Sequence, residues 1–141
     1  MNLISIHAIH LGKLCPIPFA GSRVSCGFPS PADDFLENCI DLNEQLIRNP
    51  AATFFIRVQG NSMEQAGIQS GDVLIIDRSL EASNGKIIVA VLNGEFTVKR
   101  IRFSVGGIQL IAAHPHYPNI EVTSNDQFEV WGVVTRIIHE P

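Results

Sequence analysis

The second half of the chain alternates short apolar runs with turn residues. From Thr53 onward, runs rich in valine, isoleucine and phenylalanine are separated by glycine, asparagine or aspartate, which predicts strands. The strands are predicted at residues 53–59, 72–77, 86–92, 95–103, 107–113 and 128–138. Asn93-Gly94 and Gly106-Gly107 fall between runs and predict two hairpin turns. Because no helices alternate with these strands, the pattern predicts a mainly β, antiparallel domain.

A helical segment is predicted ahead of the strands. Ser30-Pro31-Ala32-Asp33 offers an N-cap, a proline suited to the first helical position and an early acidic residue. Apolar residues then recur at three-to-four spacing, at Phe35, Leu36, Cys39, Ile40, Leu46 and Ile47. The segment ends at Asn49-Pro50, and Asp41-Leu42-Asn43 leaves open whether it is one helix or two.

Residues 1–30 show no sustained apolar period. They are interrupted by Pro16, Pro18, Gly21, Gly27 and Pro29. Such a stretch is typical of an extended or mobile arm. We therefore predict an N-terminal arm over residues 1–30 and a β-rich domain over residues 31–141.

Composition narrows the class of protein. A chain of 141 residues has the size of one domain, and its net charge of −4 disfavours a main role in binding nucleic acid. Its three cysteines are too widely spaced for a zinc or redox motif, and an odd number cannot form a closed disulfide framework, which favours a reducing cytoplasm. The opening apolar stretch lacks the features of an export signal, and no apolar run approaches the ~20 residues of a membrane span. We expect a soluble, cytoplasmic protein.

Two polar residues in the β region have a pattern that suggests chemistry. Ser62, in Gly60-Asn61-Ser62-Met63, follows a predicted strand and has its hydroxyl free to project, although a serine there is ordinarily a solvated turn residue. Lys99 lies in a predicted strand, where it shares a face with Thr97 and Ile101. A lysine there ordinarily keeps its ammonium in water, but burial would lower its pKa and let a neutral amine accept a proton from serine.

Beyond these two residues, the sequence resembles the UmuD/LexA family of self-cleaving proteins. The resemblance is carried by Gly60-Asn61-Ser62-Met63, by Gly94 to Arg100, by Ile40-Asp41-Leu42-Asn43 and by Cys26-Gly27-Phe28-Pro29-Ser30-Pro31-Ala32. It implies a β-rich peptidase fold, a catalytic dyad of Ser62 and Lys99, and cleavage between Cys26 and Gly27. Asn61 departs from an aspartate that is frequent in related sequences, and residues 1–20 match the family pattern poorly.

A Ser–Lys pair can act without histidine, because the neutral amine serves as the general base. Thr97, on the face of Lys99, is placed to orient the amine or is an ordinary strand threonine. Met63 is expected to pack, and backbone N–H groups near Ser62 are expected to bind the oxyanion. Cys26 is expected to be substrate, since no histidine lies near it in sequence. No cofactor or metal is expected; His114-Pro115-His116 lies in a proline-containing loop without a third ligand in sight.

The resemblance also implies the biological setting. Proteins of this type form homodimers, meet a RecA-type filament on single-stranded DNA that promotes cleavage, and then assist a Y-family translesion polymerase in SOS mutagenesis. The alternatives are a LexA-like repressor fragment, a type I signal peptidase and a non-catalytic interaction module. The residues before Gly27 are too few for a DNA-binding domain, and the chain lacks the membrane helix of a signal peptidase.

Overall fold

The computed structural model describes residues 1–8, 16–20 and 36–141. Most of the elements in these residues are strands. They are β1 (Asn2–Ala8), β2 (Pro16–Ala20), β3 (Leu36–Asp41), β4 (Thr53–Gln59), β5 (Val73–Asp77), β6 (Ile87–Leu92), β7 (Glu95–Ser104), β8 (Gly107–Ile111), β9 (Ile120–Val122) and β10 (Phe128–Ile138). One short helix, α1 (Leu42–Leu46), and two 3-10 turns, Pro50–Ala52 and Glu64–Ala66, complete the list. The predicted mainly β fold is confirmed.

Eight strands form one antiparallel sheet in the order β1-β4-β5-β10-β6-β7-β8-β9. β10 lies between β5 and β6, so the last strand of the chain joins the β4–β5 hairpin to the β6–β9 meander. The predicted hairpin at Asn93-Gly94 is confirmed, with positive φ angles of 51° and 83° at its two central residues. The second predicted hairpin, β7–β8, closes from Ser104 to Gly107.

Two apolar clusters cover the sheet. One contains Met1, Ile56, Val58, Met63, Ile68, Leu74, Ile76, Val89 and Val98, and the other contains Ile88, Ala90, Ile101, Leu110 and Val133. Neighbouring residues of β6 fall into different clusters, because alternate side chains of a strand point to opposite faces. Trp131 packs against the first cluster, with its ring 5.1 Å from that of Phe54, and the Arg78 guanidinium lies 4.4 Å from the ring centre.

A separate compact unit contains β2, β3 and α1. β2 and β3 pair as a two-stranded antiparallel sheet. The prediction that residues 36–41 are helical is therefore wrong, whereas α1 confirms a helix over 42–46. The Asp41 side chain accepts a hydrogen bond of 2.9 Å from the Asn43 N–H and so caps α1. The proposed cap at Ser30 lies outside the described residues.

Strands also occur where the sequence predicted none. β1 and β2 fall within residues 1–30, and β9 falls in the loop that follows β8. β1 pairs with β4 and belongs to the unit that contains the large sheet. The boundary predicted at residue 30 between an arm and a β-rich domain stays a prediction. Within the described residues, no helix is long and apolar enough to cross a membrane.

Candidate active site

Ser62 lies on a tight turn directly after β4. The strand ends at Gln59, and Gly60 has a φ of +105°, a conformation that favours glycine and suits a tight turn. The Ser62 carbonyl accepts a hydrogen bond of 2.7 Å from the Ala113 N–H, which fixes the turn from the other side. Met63 is fully buried in the first apolar cluster, so it packs as expected. Ser62 itself is only 1% exposed.

Lys99 reaches this serine from β7. Its Nζ lies 3.0 Å from the Ser62 Oγ, 3.0 Å from the Thr97 Oγ1 and 3.1 Å from the Val98 carbonyl oxygen. The two-residue spacing of Thr97 and Lys99 places both side chains on one face, as the sequence predicted. Lys99 is 5% exposed, which is rare for a lysine. The structure thus brings together the three residues that the sequence singled out in this region.

Burial sets the protonation of the lysine. Removal from water disfavours the ammonium and lowers the pKa of Lys99 below its ordinary value, and the hydrogen bond with the Met1 α-amino group opposes this only in part. A lysine with a lowered pKa has a larger neutral fraction near neutral pH. Since only a neutral amine has a free electron pair, this environment favours an amine that can take a proton from a hydroxyl 3.0 Å away.

The α-amino group of Met1 is a second nitrogen in contact with the Ser62 Oγ, and nothing in the sequence pointed to it. It donates a hydrogen bond of 2.7 Å to the Ser62 Oγ. Burial first, and then the hydrogen bond with Lys99 and its charge, lower the pKa of the Met1 amino group to about 5. A backbone terminus has no side-chain motif, and its arrival here depends on the pairing of β1 with β4.

The loop after β8 buttresses the serine turn. The Tyr117 hydroxyl donates a hydrogen bond of 2.8 Å to the Asn61 Oδ1, and the His114 ring lies edge-on to that of Tyr117 at 5.2 Å. The His114 Nε2 lies 3.8 Å from a Glu64 carboxylate oxygen. Asn61, the residue that departs from the family pattern, therefore has a partner in this loop. The residues described contain no group of three or more histidine, cysteine, aspartate or glutamate side chains arranged to hold a metal.

Cys26 and Gly27 lie outside the described residues, so the scission bond assigned to them stays a prediction. Cys15 and the side chain of Cys39 also lie outside the described part of the chain. Four further roles are likewise predictions: the catalytic roles of Ser62 and Lys99, and the supporting roles of Thr97 and Met63.

Comparison with known proteins defines the class. The Peptidase S24-like family model matches residues 18–135. The chain is 44% identical to protein MucA of Salmonella typhimurium over 125 residues, which cover 88% of this chain and 85% of MucA. It is 41% identical to protein ImpA of Escherichia coli over 123 residues, covering 86% of this chain and 83% of ImpA. It is 37% identical to the LexA repressor of Paracidovorax citrulli over 122 residues, covering 86% of this chain and 54% of the repressor.

The chain belongs to the Peptidase S24-like family. Its similarity to MucA and ImpA over most of its length confirms the resemblance to the UmuD branch of the LexA/UmuD proteins. In general terms it is a self-cleaving serine peptidase.

Proposed function

We propose that this protein cuts its own chain between Cys26 and Gly27, with Ser62 as nucleophile and Lys99 as general base. The observation that carries the proposal is the buried Lys99 Nζ, 3.0 Å from the Ser62 Oγ. A serine hydroxyl is a weak nucleophile until a base takes its proton, and a desolvated lysine is a base that works near neutral pH. The pairing of these two groups in a buried site supports catalysis more strongly than a structural role, because no acidic side chain among the described residues forms an ion pair that would hold Lys99 in its charged form.

The reaction follows from these positions. Lys99 accepts the proton as the Ser62 Oγ attacks the Cys26 carbonyl carbon, and it then returns the proton to the leaving amine of Gly27. The acyl-enzyme on Ser62 is hydrolysed by a water that Lys99 deprotonates in turn. Backbone N–H groups of the Ser62 turn stabilise the oxyanion, at about 3–4 kcal/mol per donor in other proteases. Thr97 orients the amine through its 3.0 Å contact.

The family resemblance supports the wider role. We propose that the protein acts in SOS mutagenesis in the bacterial cytoplasm, that a RecA-type filament stimulates its cleavage, and that the cleaved form works as a homodimer with a Y-family translesion polymerase. The similarity to MucA and ImpA favours this role over that of a repressor fragment. A non-catalytic interaction module is the competing function, and self-cleavage distinguishes the two.

The test is mass spectrometry of the purified full chain, incubated with and without a RecA-type filament on single-stranded DNA. We expect a fragment ending at Cys26 and a new N-terminus at Gly27. Ser62→Ala and Lys99→Arg should each reduce cleavage by at least about a hundredfold, because one lacks the nucleophile and the other keeps its proton. Ser83→Ala and Lys86→Arg change exposed residues of the same types and should cleave normally.

Cleavage at the normal rate in Ser62→Ala would refute the mechanism. A fully active Lys99→Arg protein would show that position 99 needs only a positive charge. A parent chain that stays intact under all these conditions, while folded, would favour the non-catalytic module.

A further inference from the structure

The first strand of the chain fills the edge of the sheet that leads to Ser62. β1 pairs antiparallel with β4, from Asn2 opposite Gln59 to Ala8 opposite Phe54. The other edge of β4 pairs with β5. Both edges of β4 are therefore in use, and an extended segment cannot add to this strand while β1 is in place.

The tip of β1 also occupies an open stretch of β7. β8 pairs with β7 only from Arg100 onward, which leaves the preceding residues of β7 unpaired on that side. The Val98 N–H at this position donates a hydrogen bond of 3.4 Å to the Met1 carbonyl oxygen. Met1 is 8% exposed and packs in the first apolar cluster, and Leu3 packs against the same cluster. The first residues of the chain thus lie in a groove between β4 and β7 that ends at the dyad, and the rest of β1 continues along β4 with most of its residues exposed.

The direction of β1 in this groove is that of a cleavage product. When a peptide bond is cut at a serine, the segment after the bond leaves with its new amino group at the serine oxygen and its chain running away. β1 has this arrangement, since the Met1 amino group is 2.7 Å from the Ser62 Oγ and the later residues run back along β4. It therefore takes the place of the residues that follow a scissile bond.

We propose that the groove between β4 and β7 is a binding site for an extended peptide with a free amino group at its tip, and that residues 1–8 are its resident ligand. The strand keeps the dyad closed to the scissile segment, so β1 must leave before cleavage begins. This second statement rests on the proposed function. It holds whether the scissile segment comes from the same chain or from a second copy, because either one needs the same groove.

Two neighbouring residues of β1 provide a matched test in the full chain. Leu3 packs on the apolar cluster, whereas Ile4 is 54% exposed and is the extra residue at an irregularity between Leu3 and Ser5. Leu3→Glu should release β1, because a carboxylate cannot stay in the apolar cluster without a partner. Ile4→Glu adds the same charge on the solvent side and should leave β1 bound.

Hydrogen exchange followed by mass spectrometry reports on the strand itself. We expect residues 1–8 and β4 to be protected in the parent chain and in Ile4→Glu, and to exchange at least tenfold faster in Leu3→Glu. The rate of self-cleavage should rise about tenfold or more in Leu3→Glu and stay unchanged in Ile4→Glu. Rapid exchange of residues 1–8 in the parent chain, or release of β1 without faster cleavage, would overturn the proposal.

A reversible disulfide between β1 and β4 provides a second test of the proposal. Asn2 and Gln59 are opposite each other and both exposed, so the double variant Asn2→Cys/Gln59→Cys can form a cross-strand disulfide. We expect the oxidised protein not to cleave and the reduced protein to cleave like the parent, with each single variant as the control for the native cysteines. Equal rates in the two redox states would overturn the proposal. If no variant cleaves at all, the proposed function fails, and the exchange data alone decide whether β1 is the ligand of the groove.

Discussion

At the scale of single residues, the chemistry of this site depends on where one lysine is placed. Lys99 has three oxygen neighbours within 3.1 Å, yet among the described residues no acidic side chain forms an ion pair with it. Hydrogen bonds to neutral oxygens compensate only part of the loss of hydration, so burial still lowers the pKa of Lys99. A paired lysine would be more stable and a poorer base.

The first prediction concerns the rate of self-cleavage and pH. Because burial lowers the pKa of Lys99 and its neutral amine is the proposed base, the rate should rise with pH, by up to about tenfold per unit below that pKa. It should then level off. The measurement is the rate of fragment formation from about pH 6 to pH 10 without a filament, with circular dichroism confirming the fold at each point. A flat profile, or one that falls while the protein stays folded, would contradict a lysine base.

Much of this site could be predicted at the residue level. Because side chains alternate along a strand, the two-residue spacing predicts that Thr97 and Lys99 share a face. Because Gly60 follows a predicted strand, the sequence also predicts that Ser62 lies on a turn. The approach of Ser62 to Lys99 came only from the family resemblance, since it depends on the pairing of strands distant in sequence. The Met1 amino group and the contact of Tyr117 with Asn61 could not be predicted, because neither a terminus nor a loop tyrosine has a pattern that specifies its partner.

At the scale of elements, the chain could be predicted well where strands alternate with turn residues and poorly before Thr53. The predicted strand at 53–59 is β4, and that at 128–138 is β10. The error at residues 36–41 arose because a few closely spaced apolar residues fit a short strand as well as a helix. β2 was missed because Pro16 and Pro18 argue against a strand, although a two-stranded sheet leaves each strand a free edge where proline is tolerated.

The second prediction concerns the central strand, β10. An added Cβ on Gly132 would lie 2.4 Å from the Ile76 Cγ2 and 3.5 Å from the Asp77 carbonyl oxygen. The 3.5 Å approach is an ordinary contact, but the 2.4 Å approach is a clash. Since Ile76 is fully buried and its Cγ2 is attached directly to its Cβ, that methyl group has little room to move, and Gly132→Ala should lower the free energy of unfolding by about 1–3 kcal/mol. Chemical denaturation in a Ser62→Ala background, which prevents cleavage, measures this change.

The matched control is Gly106→Ala. A Cβ on Gly106 meets nothing within 4 Å, and its φ lies outside the range that disfavours alanine. The free energy of unfolding should stay within about 0.5 kcal/mol of the parent or rise slightly, because alanine restricts the unfolded chain. Equal effects of the two substitutions would show that β10 does not pack on β5 as closely as described.

At the scale of the whole molecule, the candidate active site contains a buried amine whose loss of hydration opposes folding. The buried charged residues in the described part of the chain are Asp72, Asp77 and Lys99. Asp72 is paired with His139 at 2.7 Å, and the Asp77 carboxylate accepts two hydrogen bonds from Ser79. Among the described residues Lys99 has no carboxylate partner, so the folded state loses hydration of the amine that is the proposed base. The stability of the fold and the proposed catalysis therefore both depend on the protonation of Lys99.

The last prediction follows from that link. A lowered pKa means that folded Lys99 binds fewer protons than unfolded Lys99, so its contribution to stability rises with pH. The rise spans the window from the lowered pKa to the ordinary value of 10.5, and the contribution is lost again as the pH falls through this window. We expect the free energy of unfolding of Ser62→Ala to rise between pH 7 and 10 relative to that of Ser62→Ala/Lys99→Met. The methionine has a similar shape and does not titrate, so the difference cancels the titration of groups that Lys99 does not contact. The Met1 amino group does contact Lys99, but above its ordinary pKa of 8.0 it is neutral in both states, so from pH 8 to 10 the difference reports on Lys99 alone. Parallel curves for the two proteins would mean that Lys99 keeps its ordinary pKa in the folded state, and that its burial does not prepare it to act as a base.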